Sequence, residues 1–183
     1  MVSSPDRRVV LVGANPGMRL FDGDAVVAFA SCWRVDWSTH GSGSVIVLWQ
    51  PDRVSVVGEN RELATWLADD FVRHFPELDG VPWHEPEHVQ QPVDLTVDLE
   101  RGASARSALV TVDIGDVLDR RAFATDDFPL GAVIHSLSLV IAPCESGSIS
   151  VGGVALAGAV RLDGTPDRPG SSAFVTDAEV WRA

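Results

Sequence analysis

Thirteen consecutive residues, Ala25 to Trp37 (AVVAFASCWRVDW), contain neither glycine nor proline and read as one long strand. At period two, Val27, Phe29, Trp33, Val35 and Trp37 fall on one face. Val26, Ala28, Ala30 and Cys32 fall on the other, followed by Arg34 and Asp36. A strand that is apolar on both faces must be covered on both faces. That requirement excludes a flat sheet with one wet side and favours a sheet curled around an interior. The charged pair Arg34 and Asp36 must then point to solvent or into a polar cavity.

The remaining segments show what does the covering. Arg8 to Ala14 is a short apolar strand, the Asn15-Pro16-Gly17 sequence signals a turn, and Met18 to Phe21 reads as a second strand. Asp22-Gly23-Asp24 between apolar runs is a hairpin signal. After the flexible stretch 38–44, segments 44–50 and 53–59 are joined through Pro51-Asp52, so the first sixty residues read as an antiparallel meander. The period then changes. From Asn60 to Phe75, Leu63, Trp66, Leu67, Phe71 and Phe75 recur at helical spacing, with Asn60 as N-cap and Pro76 as the stop. Residues 80–92 are proline-rich and irregular, and strands return at 93–100, 105–117 and 132–143. A hairpin about Gly152-Gly153 (147–162) and a closing strand at 172–182 follow; 119–131 and 163–171 read as loops. Nine or ten strands and one helix over 60–75 predict a mainly β fold in a single domain, 1–183, an antiparallel β-barrel or sandwich. The alternative is an α+β sheet with the helix packed on one face. A parallel doubly wound sheet would need crossover helices that the pattern lacks.

Charge narrows the partners. A formal net charge of −12 argues against nucleic acid and against anionic membrane surfaces. Cys32 and Cys144, the only two cysteines, make neither a disulfide framework nor a metal knuckle, which fits a reducing cytoplasm. No apolar run approaches the ~20 residues of a membrane-spanning helix, and MVSSPDRRVVLVGANPG lacks the apolar core of a signal peptide. The expected location is therefore cytoplasmic. All 14 basic residues are Arg, and Lys and Tyr are absent, as in chains from high-GC genomes such as those of actinobacteria. Schiff-base chemistry on lysine and acid catalysis by tyrosine are excluded outright.

Several motifs fail on their context. His84 to His88 (HEPEH) matches H-E-x-x-H, but Pro86 inside it and Pro82 and Pro92 around it forbid the helix that a zinc protease needs. VGANPG (12–17) lacks a following helix, so it is no dinucleotide fingerprint. GSGS (41–44) is no nucleophile elbow. No metal or cofactor is called for.

The polar groups that remain are few. His135 shares a face with Val133, Leu137, Leu139 and Ile141, so it is either a hydrogen-bonded core histidine or a cavity acid–base group. Arg34 and Asp36 are either a solvated pair or buried charges that need a ligand. Trp33, Trp37 and Trp49 suit a core, or the wall of a pocket together with Cys32. The loop with Arg120, Arg121, Asp126 and Asp127 would serve as a lid or as plain surface. These residues lead to the expectation of a β-barrel that binds a small hydrophobic molecule. Trp33, Trp37, Trp49 and Cys32 would line the site, and Arg34, Asp36 and His135 would supply any catalysis. Such catalysis would be a cofactor-free cyclisation, isomerisation or dehydration in natural-product metabolism, carried mainly by shape and desolvation. The alternative is a non-catalytic carbohydrate-binding or interaction module that exposes Trp33 and Trp37. The edge strand 93–100 offers pairing to a second copy as a homodimer, which its outward Asp and Glu oppose.

Overall fold

The computed structural model describes residues 8–182. Residues 1–7, part of the stretch read for a leader, lie outside the described residues. The chain opens with β1 (Arg8–Ala14), β2 (Gly17–Asp22), β3 (Ala25–Ser38), β4 (Gly43–Gln50) and β5 (Arg53–Gly58). A helical run begins with α1 (Arg61–Trp66), and β6 (Pro86–Val89), β7 (Asp94–Asp98), β8 (Gly102–Arg106) and β9 (Val110–Val117) come next. Then follow β10 (Arg121–Leu130), β11 (Val133–Val151), β12 (Val154–Ala155), β13 (Leu162–Thr165), β14 (Arg168–Ser171) and β15 (Ala173–Arg182). Thirteen strands form one sheet and β13–β14 form a separate hairpin. Among the described residues only the β5–β6 strand pairing is parallel. The fold is mainly β and barrel- or sandwich-like, as its alternating segments predict.

Long strands give the sheet its curl. β3 pairs with β2 over its first half and with β1 over its second, and β15 likewise pairs with both β1 and β2. The strands β3 and β15 therefore flank a single interrupted row, β1 followed by β2. Asn15-Pro16 is not a turn: β1 and β2 run end to end between β3 and β15. The interruption is bridged rather than folded back, because Asn15 N–H donates to the Thr176 carbonyl (3.1 Å) and the Pro16 carbonyl accepts from Cys32 N–H (2.8 Å). Proline lacks an N–H but keeps its carbonyl, and here that carbonyl suffices to hold the ladder.

Three other readings are corrected. Segment 119–131 contains a strand, β10, which pairs with β11 in a hairpin through Gly131 (φ +62°). One extra residue on β10 between Thr125 and Phe128 breaks its alternation and hides the strand from a period-two reading. Segment 105–117 is not one strand; the Ser107 hydroxyl caps a turn by accepting from Val110 N–H (2.9 Å), which separates β8 from β9. The loop 163–171 holds the β13–β14 hairpin.

Both faces of β3 are buried, each in its own core. Phe29, Trp33 and Val35 pack with β4, β5 and the helical run. Ala28, Ala30 and Cys32 pack with Met18, Ile46, Leu48 and the inward side chains of β8 and β9. The helical run spans 61–74, close to the predicted 60–75, but its pitch changes: α1 passes into a π turn (Leu67–Phe71) and a 3₁₀ turn (Val72–His74). Asn60 caps it, its side-chain carbonyl accepting from Leu63 N–H at 3.1 Å. Phe71, at φ −119° and ψ −75°, stays in the right-handed region but departs from regular helical angles where π passes to 3₁₀, and its ring lies against Trp33 (5.9 Å between centroids). Among the described residues no helix is long and apolar enough to cross a membrane.

Candidate functional site

The Trp33 side of the molecule is not filled completely. Between Trp33, the end of the helical run and a wall made by β10, β11 and β15 lies a cavity of about 450 Å³. Strand register builds the wall in rows. Leu137 on β11 stands beside Val180 on β15, Leu139 lies between Phe123 and Ala178, and Ile141 lies between Arg121 and Thr176. Alternation aims Leu137, Leu139 and Ile141 the same way, and all three line the cavity. Phe71, Phe75, Phe128 and Leu130 close one end with Trp33.

The lining changes character along β11. From Leu137 to Ile141 the wall advances roughly 13 Å at ~3.3 Å per residue. Beyond Leu139 it acquires Arg121, Thr176, Asn15, Ser171, Ser172, Arg19 and Arg168. Most of these polar groups are already engaged. Thr176 donates to the Asn15 carbonyl (2.9 Å) and the Asn15 amide donates to the Ser31 hydroxyl (3.0 Å) and the Cys32 carbonyl (2.8 Å). Ser172 donates to the Arg19 carbonyl (2.9 Å). Arg121 donates to Asp119 (2.7 Å) and to the Pro169 carbonyl (3.0 Å). The Arg120 backbone N–H and the Arg121 guanidinium together hold the Asp119 carboxyl below its usual range. Arg19 differs: its Nε is buried and has no hydrogen-bond partner among the described residues. Glu77, after the helical run, also lines the cavity.

The residues singled out in the sequence scatter. Trp33, 3% exposed, lines the cavity. Trp37 does not share its face: the β1 register steps from Val12–Trp37 to Gly13–Val35, leaving Asp36 as an extra residue. That bulge turns Trp37 outward to 49% exposure. Trp49 is buried beside the helical run and donates its indole N–H to the Pro82 carbonyl (2.8 Å). Cys32 lies in the opposite core, where burial pushes its thiol up to about 12, so it stays protonated and inert. Cys144, also buried, is pushed up to about 11 by burial and by Asp116.

Arg34 and Asp36 form an ion pair (3.2 Å) with half-exposed side chains, outside the cavity. His135 is 7% exposed and its ring lies tilted against Phe71 (5.4 Å between centroids), one row beyond Leu137. Its Nδ1 makes no well-formed hydrogen bond among the described residues, and burial holds its imidazole below the usual value against the opposing pull of the Val133 backbone. The HEPEH segment is extended: β6 begins at Pro86, and His84 hydrogen-bonds the Pro51 carbonyl (2.9 Å).

Sequence reasoning missed Arg19, Phe123, Phe128 and the polar row around Thr176. Arg19 interrupts the apolar run GMRLF, a visible anomaly; the others meet only through long-range register. The chain matches no family model, no curated protein and no solved structure with which it was compared.

Proposed function

We propose that the chain binds a small, largely apolar molecule in the cavity between Trp33 and the β10–β11–β15 wall. One observation carries this reading: a space of about 450 Å³ whose sides are aromatic and aliphatic while polar groups gather at one end. Close packing normally leaves few voids larger than a water molecule. Small-molecule sites, by contrast, are mostly apolar spaces of roughly 300–1,000 Å³ with a few placed polar groups. Binding is favoured over cofactor-free catalysis because neither His135 nor the Arg34–Asp36 pair lines the space. A catalytic version would rest on confinement of a reactive conformer, with Glu77 the one carboxylate among the described residues that line the space.

The test uses two fluorescent dyes of one skeleton, neutral N-phenylnaphthylamine and its anionic relative anilinonaphthalene sulfonate. At least one should bind at one site per chain. The substitution Ala178→Trp, which fills the middle of the wall, should weaken that binding at least tenfold while leaving the circular dichroism spectrum unchanged. Absence of saturable binding by both dyes, or binding indifferent to Ala178→Trp, sinks the reading.

A further inference from the structure

We infer that the ligand of this cavity is an apolar acid, a hydrophobic body carrying one anionic group, and that Arg19 is the residue that recognises the anion. The inference rests on the cavity being a binding site and specifies the chemistry of its occupant. The protein as a whole repels anions, with a formal net charge of −12 and only 14 basic residues. Yet Arg19, Arg121 and Arg168 all line one end of one cavity. Such a concentration against the overall field marks a local preference for negative charge.

The three arginines are not equivalent. Arg121 is already committed to Asp119 and the Pro169 carbonyl. Its role is to fix the wall, and its charge is largely answered. Arg168 stands exposed and has no carboxylate within ion-pair distance among the described residues. Arg19 is half-buried on β2, flanked by the buried Met18 and Leu20. Its guanidinium lies 5.4 Å from the Phe21 ring, and no described carboxylate or carbonyl accepts from its side chain. Its Nε, withdrawn from water, needs an acceptor, and a carboxylate or sulfonate entering the cavity meets the guanidinium fork with two parallel hydrogen bonds.

The backbone holds Arg19 at this place: its N–H donates to the Ser172 carbonyl (2.9 Å) and its carbonyl accepts from the Ser172 hydroxyl (2.9 Å). Those bonds set β2 against the strand that carries Thr176 and Ala178 into the cavity. An acid with its anion at Arg19 would lay its apolar body along Ile141, Leu139 and Leu137 toward Trp33. Glu77, on the helical side of the cavity, disfavours a second negative charge and so selects a monoanion.

The same dye pair tests the inference, since the two molecules differ by the sulfonate. The anionic dye should bind at least tenfold more tightly than the neutral one. Arg19→Met, which keeps an unbranched apolar stem and removes the guanidinium, should lower the affinity for the anionic dye about tenfold and leave the neutral dye within twofold. Decanoate should displace the anionic dye from the unaltered protein, and decanol should do so at least tenfold less well. Equal affinity for both dyes, or an Arg19→Met variant that loses both alike, overturns the anion assignment while leaving an apolar binding site intact. Failure of both dyes to bind overturns the site itself.

Discussion

The two faces of β3 are buried to the same degree and do different things. On one, Ala28, Ala30 and Cys32 present little volume, and the layer across from them comes close. Gly147 shows how close: a methyl group there would collide with the Met18 sulfur. On the other, Phe29 and Trp33 are large and rigid, and the elements opposite are a helical run of changing pitch and a strand, β10, with an extra residue. Small residues permit interdigitation without voids, whereas rings held apart by irregular neighbours leave space between them. Burial therefore does not separate core from pocket; side-chain volume and the regularity of the facing element do.

That contrast is open to direct attack by adding volume. Gly147→Leu should destabilise the protein by about 3 kcal/mol or prevent folding, because the Met18 side chain it meets is itself fully buried. Ala178→Trp, placed in open space, should cost no more than about 1 kcal/mol, since nothing there must be displaced. Urea titration of both variants gives the comparison, and similar losses would show that the Trp33 side is as tightly filled as the other. Removing volume sharpens the same point. Leu48→Ala in the close-packed core should cost about 3 kcal/mol, transfer and cavity terms included. Leu139→Ala, which enlarges a space already present, should cost about 1 kcal/mol. If Leu139→Ala proved the costlier, the cavity would not be open in solution.

A smaller effect comes from His135. Burial favours its neutral form, so the folded protein holds this proton less tightly than the unfolded chain does. Its stabilising contribution is complete above the ordinary imidazole value of 6.5 and is lost as pH falls below that point through the lowered folded value. The melting temperature should drop between pH 7 and pH 5, and His135→Leu should drop less over the same interval. An equal drop in both proteins would place the titration elsewhere.

How much of this was visible in the chain follows from the range of the interactions. The double burial of β3, the hairpin at Asp22-Gly23-Asp24 and the extent of the helical run are set by neighbours a few residues apart, and their signals survive in the sequence. The bulge at Asp36 is different. It arises where β1 and β3 meet, with Gly13 so close to β3 that a side chain would collide with the Arg34 carbonyl oxygen, and nothing in AVVAFASCWRVDW records it. It is that bulge which separates Trp37 from Trp33 and removes one of the expected pocket residues. The cavity wall was hidden for the same reason. Arg121, Phe123, Thr176 and Ala178 are brought level by the register of β10, β11 and β15, across sequence separations that periodicity does not span.

The bulge also decides the smallest effect. Period two places Arg34 and Asp36 on the Cys32 face, where burial would have made them functional or costly. Instead their side chains are 37% and 53% exposed, and they pair with each other across the bulge. A pair in such surroundings contributes about 0–1 kcal/mol, because water and salt screen it and its ordering offsets the attraction. Arg34→Ala should accordingly change stability by less than about 1 kcal/mol, and less still in high salt. It should leave dye affinity within twofold, where Arg19→Met changes it about tenfold. A loss of binding on Arg34→Ala would bring the pair back to the site by way of β3 itself. The cavity would then depend on the bulge that sets where Trp33 ends and Trp37 begins.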